Sequence, residues 1–149
     1  MFSGMSGSLV IGCAPSTNSK MRRIKHSVAV LIERSGQFLS VRRSDTDDEL
    51  PGVWGLPAGS LREGENVQDL IARIGNEKLG VTLIPLRRIS EGIQDRPNYR
   101  LEMELWEVLM DGTPTHPEWQ WASMDLLQPG KDAGSLCCEL AINSKSRAS

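Results

Sequence analysis

The sequence predicts an α+β fold of mixed α/β type, built as one domain. Three observations carry this. Apolar stretches with strand character recur along the chain, and an amphipathic helix with a capped start sits among them. A second stretch with one apolar face closes the chain. The length of 149 residues suits a single core.

Each element has its own signal. Residues 27–33 are β-branched and almost continuously apolar, the pattern of a buried strand. Residues 37–42 follow the short turn Arg34-Ser35-Gly36, so the two segments predict a hairpin. Residues 44–52 form an acidic loop closed by Pro51-Gly52. Residues 53–56 predict a short strand, and residues 59–64 a loop bounded by glycine. Asn66 is placed to cap a helix that runs to Leu79 and stops at Gly80. Val67, Leu70, Ile71 and Ile74 recur at i, i+3, i+4 and i+7 and predict one buried face.

Residues 81–91 predict one strand or two short ones, and residues 93–99 a loop containing a proline. Residues 101–110 alternate in their first half, with Leu101, Met103 and Leu105 opposite Glu102 and Glu104. Residues 119–122 predict a strand, and Ser123 a cap for a helical turn over 124–127. A final helix is predicted over 132–143, with one of Cys137 and Cys138 buried and the other peripheral. Residues 1–20 are expected to be a flexible extension, residues 21–143 the domain and residues 144–149 a disordered tail.

Composition narrows the function. The net charge of −2 offers no basic excess for nucleic acid or anionic membranes. The longest uninterrupted apolar run is residues 28–32, far short of the roughly 20 residues that span a bilayer. Three cysteines, two of them adjacent, suit neither a disulfide framework nor a zinc site and point to a reducing cytoplasm.

The most informative stretch is residues 59–81, GSLREGENVQDLIARIGNEKLGV. It resembles the Nudix box, G-x5-E-x7-R-E-U-x-E-E-x-G-U with U a bulky apolar residue, over 23 ungapped positions. Gly59, Glu65, Arg73, Glu77, Gly80 and Val81 fit the pattern. The approach at residues 51–59 and the segment 118–127 also resemble that family. The resemblance implies an α/β/α sandwich with a mixed sheet and a loop–helix–loop box. It implies activity on a nucleoside diphosphate linked to another group, with Mg²⁺ or Mn²⁺, and members are often homodimers. Gly59, Glu65, Arg73 and Gly80 are expected to shape the box.

Pyrophosphate is already anionic, so attack by water needs cations on its oxygens and a carboxylate to take a proton. The family places three glutamates at i, i+3 and i+4 of a helix, which share one face. This chain has Ile74, Glu77 and Lys78 there. Isoleucine holds no metal, and an ammonium repels one: at 4 Å and an effective dielectric of about 20, like charges cost about 4 kcal/mol before screening. Gly75 in the helix is expected to weaken it by about 1 kcal/mol.

Candidate metal ligands are therefore Glu77 with Glu63 and Glu65 in a rearranged site, and candidate catalytic residues are Glu77 and Glu118. Arg42, Arg43 and Lys78 are candidate contacts for substrate phosphates. Each has a plainer reading as an exposed charge. Three functions stay open at this point. The first is binding of a nucleotide or related phosphate compound with hydrolysis weak or absent. The second is a Mg²⁺- or Mn²⁺-dependent pyrophosphohydrolase with a rebuilt site. The third is a scaffold or dimerisation module that uses no cofactor.

Overall fold

A computed structural model describes residues 23–47, 49–115 and 118–148. The expectation for residues 1–20 falls outside the described residues. Among the described residues no helix is long and apolar enough to cross a membrane.

The central strand is β1 (Arg23–Leu31), exposed over its first four residues and buried over its last five. It is buried on both faces because a helix covers each side of its sheet. Val28 and Val30 join one apolar cluster with Leu70, Ile71 and Ile74. Ala29 and Leu31 join the other, with Leu136, Cys137 and Ala141. Beside β1 lie β5 (Ala58–Ser60) and β7 (Tyr99–Asp111), with β6 (Thr82–Asp95) beyond, in the order β5-β1-β7-β6. The β1–β7 pair is parallel and the other two are antiparallel, so the sheet is mixed. A smaller antiparallel sheet joins β2 (Glu33–Arg34), β3 (Gln37–Arg42), β4 (Trp54–Gly55) and β8 (Trp119–Ala122), centred on β3.

Several local signals are realised. Ser35 and Gly36 have φ of 54° and 80°, the paired left-handed turn that matches strand twist. Asn66 caps α1 (Val67–Arg73) by accepting from the Asp69 N–H at 2.7 Å. Ser123 accepts from the Asp125 N–H at the start of the 3₁₀ turn Met124–Leu127. Gly80 ends the box helix in the left-handed region with φ of 73°.

Other elements differ from expectation. Ala58–Ser60 is strand rather than loop, because its backbone pairs with residues 27–29 of β1. β6 runs on to Asp95, since β7 pairs with it from Thr82↔Asp111 to Asp95↔Arg100, with register shifts near Pro85 and Ile89. The proline loop shrinks to residues 96–98. The last helix is two, α2 (Gln128–Asp132) and α3 (Leu136–Ala148), broken at Gly134 with φ of 100°. α3 continues past Asn143 into the segment expected to be a tail. Cys137 and Cys138 are both buried, because their part of α3 packs on the sheet and on β4.

The box helix also changes character. After Arg73 it widens into π-helical turns over Ile74–Leu79. Hydrogen bonds there reach five residues rather than four, which shifts the side chains around the axis. Ile74 is fully buried while Glu77 and Lys78 are exposed, so the three do not share one accessible face.

Gly75 is a close-approach residue rather than a weak point. A Cβ there would lie 2.8 Å from the Val81 carbonyl oxygen and 2.9 Å from Leu83 Cγ. Helix propensity alone favours Gly75→Ala by about 1 kcal/mol. The clash reverses the sign, and urea denaturation is expected to show a loss of about 1–3 kcal/mol. A stabilised variant would mean that the contact relaxes freely.

Candidate active site

The site begins with a clamp between Glu65 and Arg73. Arg73 Nε donates to Glu65 Oε2 at 2.8 Å and Nη2 donates to Oε1 at 2.9 Å. The same Nη2 donates to the Ser60 carbonyl oxygen at 2.7 Å, and the Arg62 N–H donates to Glu65 Oε1 at 3.0 Å. Planar guanidinium geometry suits a two-point bond to carboxylate. The end of α1, the box loop and the end of β5 are thereby joined. The Arg73 bonds, then the Arg62 N–H, hold the Glu65 carboxyl down at about 2.

Lys78 sits over that frame. Its ammonium donates to the carbonyl oxygen of Ala58, the first residue of β5. The residue is exposed as a whole, but its charged end turns inward. Loss of surrounding water lowers its pKa first, and Arg73, Arg43 and Lys25 lower it further, against a smaller opposing effect of Glu77. The charges around this ammonium are thus mostly of its own sign.

A cavity of about 200 Å³ opens beside it. Its lining includes Lys25, Arg43, Lys78, Arg96, Tyr99 and Glu49. A neighbouring cavity of about 260 Å³ shares Arg43, Ala58 and Lys78, and adds Arg42. Among the residues the sequence singled out, Arg43 and Lys78 therefore meet at one place. Arg42 joins them only in the second cavity, held by Asp45 and by Glu118 Oε1 at 3.1 Å. Glu118 is thus paired with Arg42 and does not line the Lys78 cavity.

Lys25, Arg96, Tyr99 and Glu49 were not legible as site residues. They come from the start of β1, the β6–β7 turn and the acidic loop, and only the fold brings them together. The nearest hint is the acidic loop itself, whose carboxylates lie close in sequence to Arg42 and Arg43.

Mg²⁺ and Mn²⁺ seek several oxygen ligands. Among the described residues no three His, Cys, Asp or Glu side chains gather into a group that could hold a metal ion. Glu65 is committed to Arg73 on both oxygens. Glu77 lies 3.6 Å from Arg62 Nη2, and Glu63 is exposed in the loop. Ile74 faces the core, and the Ala58 carbonyl already accepts from an ammonium. The set Glu63, Glu65 and Glu77 does not fit a divalent cation.

A mixed sheet thus lies between helices, with a loop–helix–loop clamped to its edge strand. The family model described as NUDIX domain matches residues 22–135, and the chain belongs to that family. It is 35% identical over 63 residues to the nucleoside triphosphatase NudI of Escherichia fergusonii, a match covering 42% of this chain and 44% of the relative. It is 33% identical over 57 residues to NudI of Salmonella agona, covering 38% and 40%. These matches span less than half the length of either relative. Among solved structures, the E. coli ORF135 protein aligns with a TM-score of 0.68 at 22% identity, over 86% of this chain and 95% of that one. A NUDIX hydrolase from Nitrosomonas europaea aligns with a TM-score of 0.70 at 15% identity, over 85% and 90%. These two likenesses bear on the fold alone.

The clamp has a pH signature. The Glu65 carboxyl lies at about 2 in the folded chain against an ordinary 4.5. A depressed carboxyl stabilises the fold above its unfolded pKa and loses that contribution as pH falls through the folded one. The stability gap between the wild type and Glu65→Gln is therefore expected to narrow from pH 4.5 down to about 2. Denaturant titrations across that range check it, and a constant gap would show that Glu65 acts without its charge.

Proposed function

We propose that this Nudix domain binds a nucleoside diphosphate-linked or related phosphate compound beside Lys78 and hydrolyses it weakly or not at all. The observation that carries this reading is the Lys78 ammonium bonded to the Ala58 carbonyl. A fixed monovalent cation stands at the box where the family resemblance calls for a carboxylate. Lys25, Arg43 and Arg96 line the same cavity and supply further charge for an anion.

The chemistry follows from these groups. Four cations give a phosphate electrostatic and hydrogen-bonding partners without a divalent ion. They give a water molecule no free base. Glu65 is held ionised but fully bonded, and Glu77 lies beside Arg62. Binding is thus favoured over proton transfer. The nucleotide class rests on family membership and on the names of the NudI relatives. A reducing cytoplasmic setting belongs to the proposal, supported by two free, buried, adjacent thiols at Cys137 and Cys138.

The test is a panel of nucleoside di- and triphosphates, dinucleotides and ADP-ribose, assayed for hydrolysis with Mg²⁺ and then Mn²⁺. Binding is measured in parallel in EDTA. The expected result is binding that survives EDTA, with turnover at or near background. Lys78→Met is expected to weaken binding on the order of tenfold, the loss of one charge-assisted bond of about 1.5 kcal/mol. Metal-dependent turnover abolished by Glu77→Gln would instead establish a hydrolase rebuilt around Glu77. No binding and no turnover by folded protein would leave the scaffold reading.

A further inference from the structure

Arg96 and Tyr99 reach the Lys78 cavity from outside the box, and both hold one carboxylate. Arg96 Nη1 donates to Glu49 Oε1 at 2.5 Å, and Tyr99 Oη donates to Glu49 Oε2 at 2.7 Å. Glu49 belongs to the acidic loop, 47 residues from Arg96 and 50 from Tyr99 in sequence. Among the described residues lining this cavity it is the one carboxylate, against Lys25, Arg43, Lys78 and Arg96.

The donors are better fixed than the acceptor. Arg96 is 15% exposed in its side chain, and its Nε donates to Gln94 Oε1 at 2.5 Å. Its backbone N–H donates to the Tyr99 carbonyl oxygen at 2.8 Å. Lys25 lies over the Tyr99 ring at 5.2 Å. The Glu49 side chain is 42% exposed. Its loop is anchored independently, since Asp47 Oδ1 accepts from the Leu50 N–H at 2.8 Å and Asp47 Oδ2 from Arg43 at 3.0 Å. The Glu49 carboxylate can therefore leave its two donors without unfolding the loop.

We infer that Arg96 and Tyr99 form an anion subsite for one phosphate group of the ligand, and that Glu49 competes for that subsite from within the chain. The inference rests on the reading of the Lys78 cavity as a phosphate-compound site. It deepens that reading in one respect. A guanidinium and a phenol present two donors to an anion with two or more oxygens. Lys25, Arg43 and Lys78 remain for a second phosphate. A ligand that must displace Glu49 binds with an apparent affinity reduced by the fraction of molecules in which the subsite is taken.

The experiment is calorimetric titration of the full chain with inorganic pyrophosphate and with ADP, in EDTA. Wild type, Glu49→Gln, Glu49→Ala and Arg96→Gln are compared. If Glu49 holds the subsite in about nine molecules of ten, its removal tightens binding on the order of tenfold. Both Glu49 variants are expected to bind more tightly, and Arg96→Gln more weakly, than wild type. Asp69→Asn removes an exposed charge from the first turn of α1, away from the cavity, and is expected to change affinity far less than Glu49→Gln. Inorganic phosphate is expected to bind more weakly than pyrophosphate. Equal or weaker binding by both Glu49 variants, beside measurable binding by wild type, would overturn the subsite while leaving the cavity reading intact. An effect of Asp69→Asn as large as that of Glu49→Gln would also overturn it, reducing Glu49 to a distant charge. Absence of pyrophosphate and ADP binding by every variant would overturn both.

Discussion

The bond between Glu65 and Arg73 is the constraint on which the rest of the site depends. It joins the box loop to the last turn of α1, and its third arm reaches the Ser60 carbonyl at the end of β5. β5 is an edge strand of three residues. A strand that short is held by its pairing with β1 and by what grips its end. Once Ser60 is fixed, Ala58 two residues away presents its carbonyl toward the box helix, and Lys78 meets it. The clamp thus sets the position of a cation it does not touch.

Below the clamp, the altered box is a well-packed helix rather than a decayed one. Ile74, at a position where the family pattern has glutamate, is fully buried among Leu70, Ile71 and the apolar face of β1. Gly59 lies close enough that a Cβ there would sit 3.3 Å from Ile74 Cγ1. Gly75 lets the helix approach the strand that follows it, and its carbonyl accepts from the Val81 N–H at 2.9 Å. Against the family pattern, Ile74 gives apolar contact where a glutamate is expected, and Gly75 gives close approach where a bulky apolar residue is expected. Lys78 differs from both, because it puts a positive charge where the family pattern has a carboxylate.

The sequence carried the local parts of this arrangement well. Turn and cap residues act over three or four positions, so Ser35-Gly36, Asn66, Gly80 and Ser123 were legible. The family resemblance marked Glu65 and Arg73 as residues that shape the box, whereas Arg43 and Lys78 were separate candidates whose meeting only the fold brings about. Elements made by partners were harder to see. Ala58–Ser60 is a strand because β1 is beside it, and nothing in Ala-Gly-Ser favours extension. β6 is long because β7 is long. The split at Gly134 was passed over because the apolar face on either side of it looked continuous. The one-face expectation for Ile74, Glu77 and Lys78 assumed α-helical spacing, which the π turns replace. Arg96, Tyr99 and Glu49 carried no pattern at all, since long-range closure of the β6–β7 hairpin over the acidic loop gathers them.

On the proposed reading, the cavity separates two tasks that the family box combines. Attracting a phosphate compound needs positive charge, which four side chains supply. Activating water needs a free base beside that charge, whereas Glu65 is bonded to Arg73 and Glu77 lies next to Arg62. On the proposed reading the Lys78 ammonium at a carboxylate position supplies the positive charge a bound cation would, and Mn²⁺ binding to the ligand-free protein tests that most directly. Paramagnetic titration of the wild type and Lys78→Glu would report occupancy at the box without any assay of turnover. The account predicts no saturable Mn²⁺ binding at the box in the wild type and its appearance or strengthening in Lys78→Glu. Saturable Mn²⁺ binding by the wild type, lost in Glu77→Gln, would contradict it.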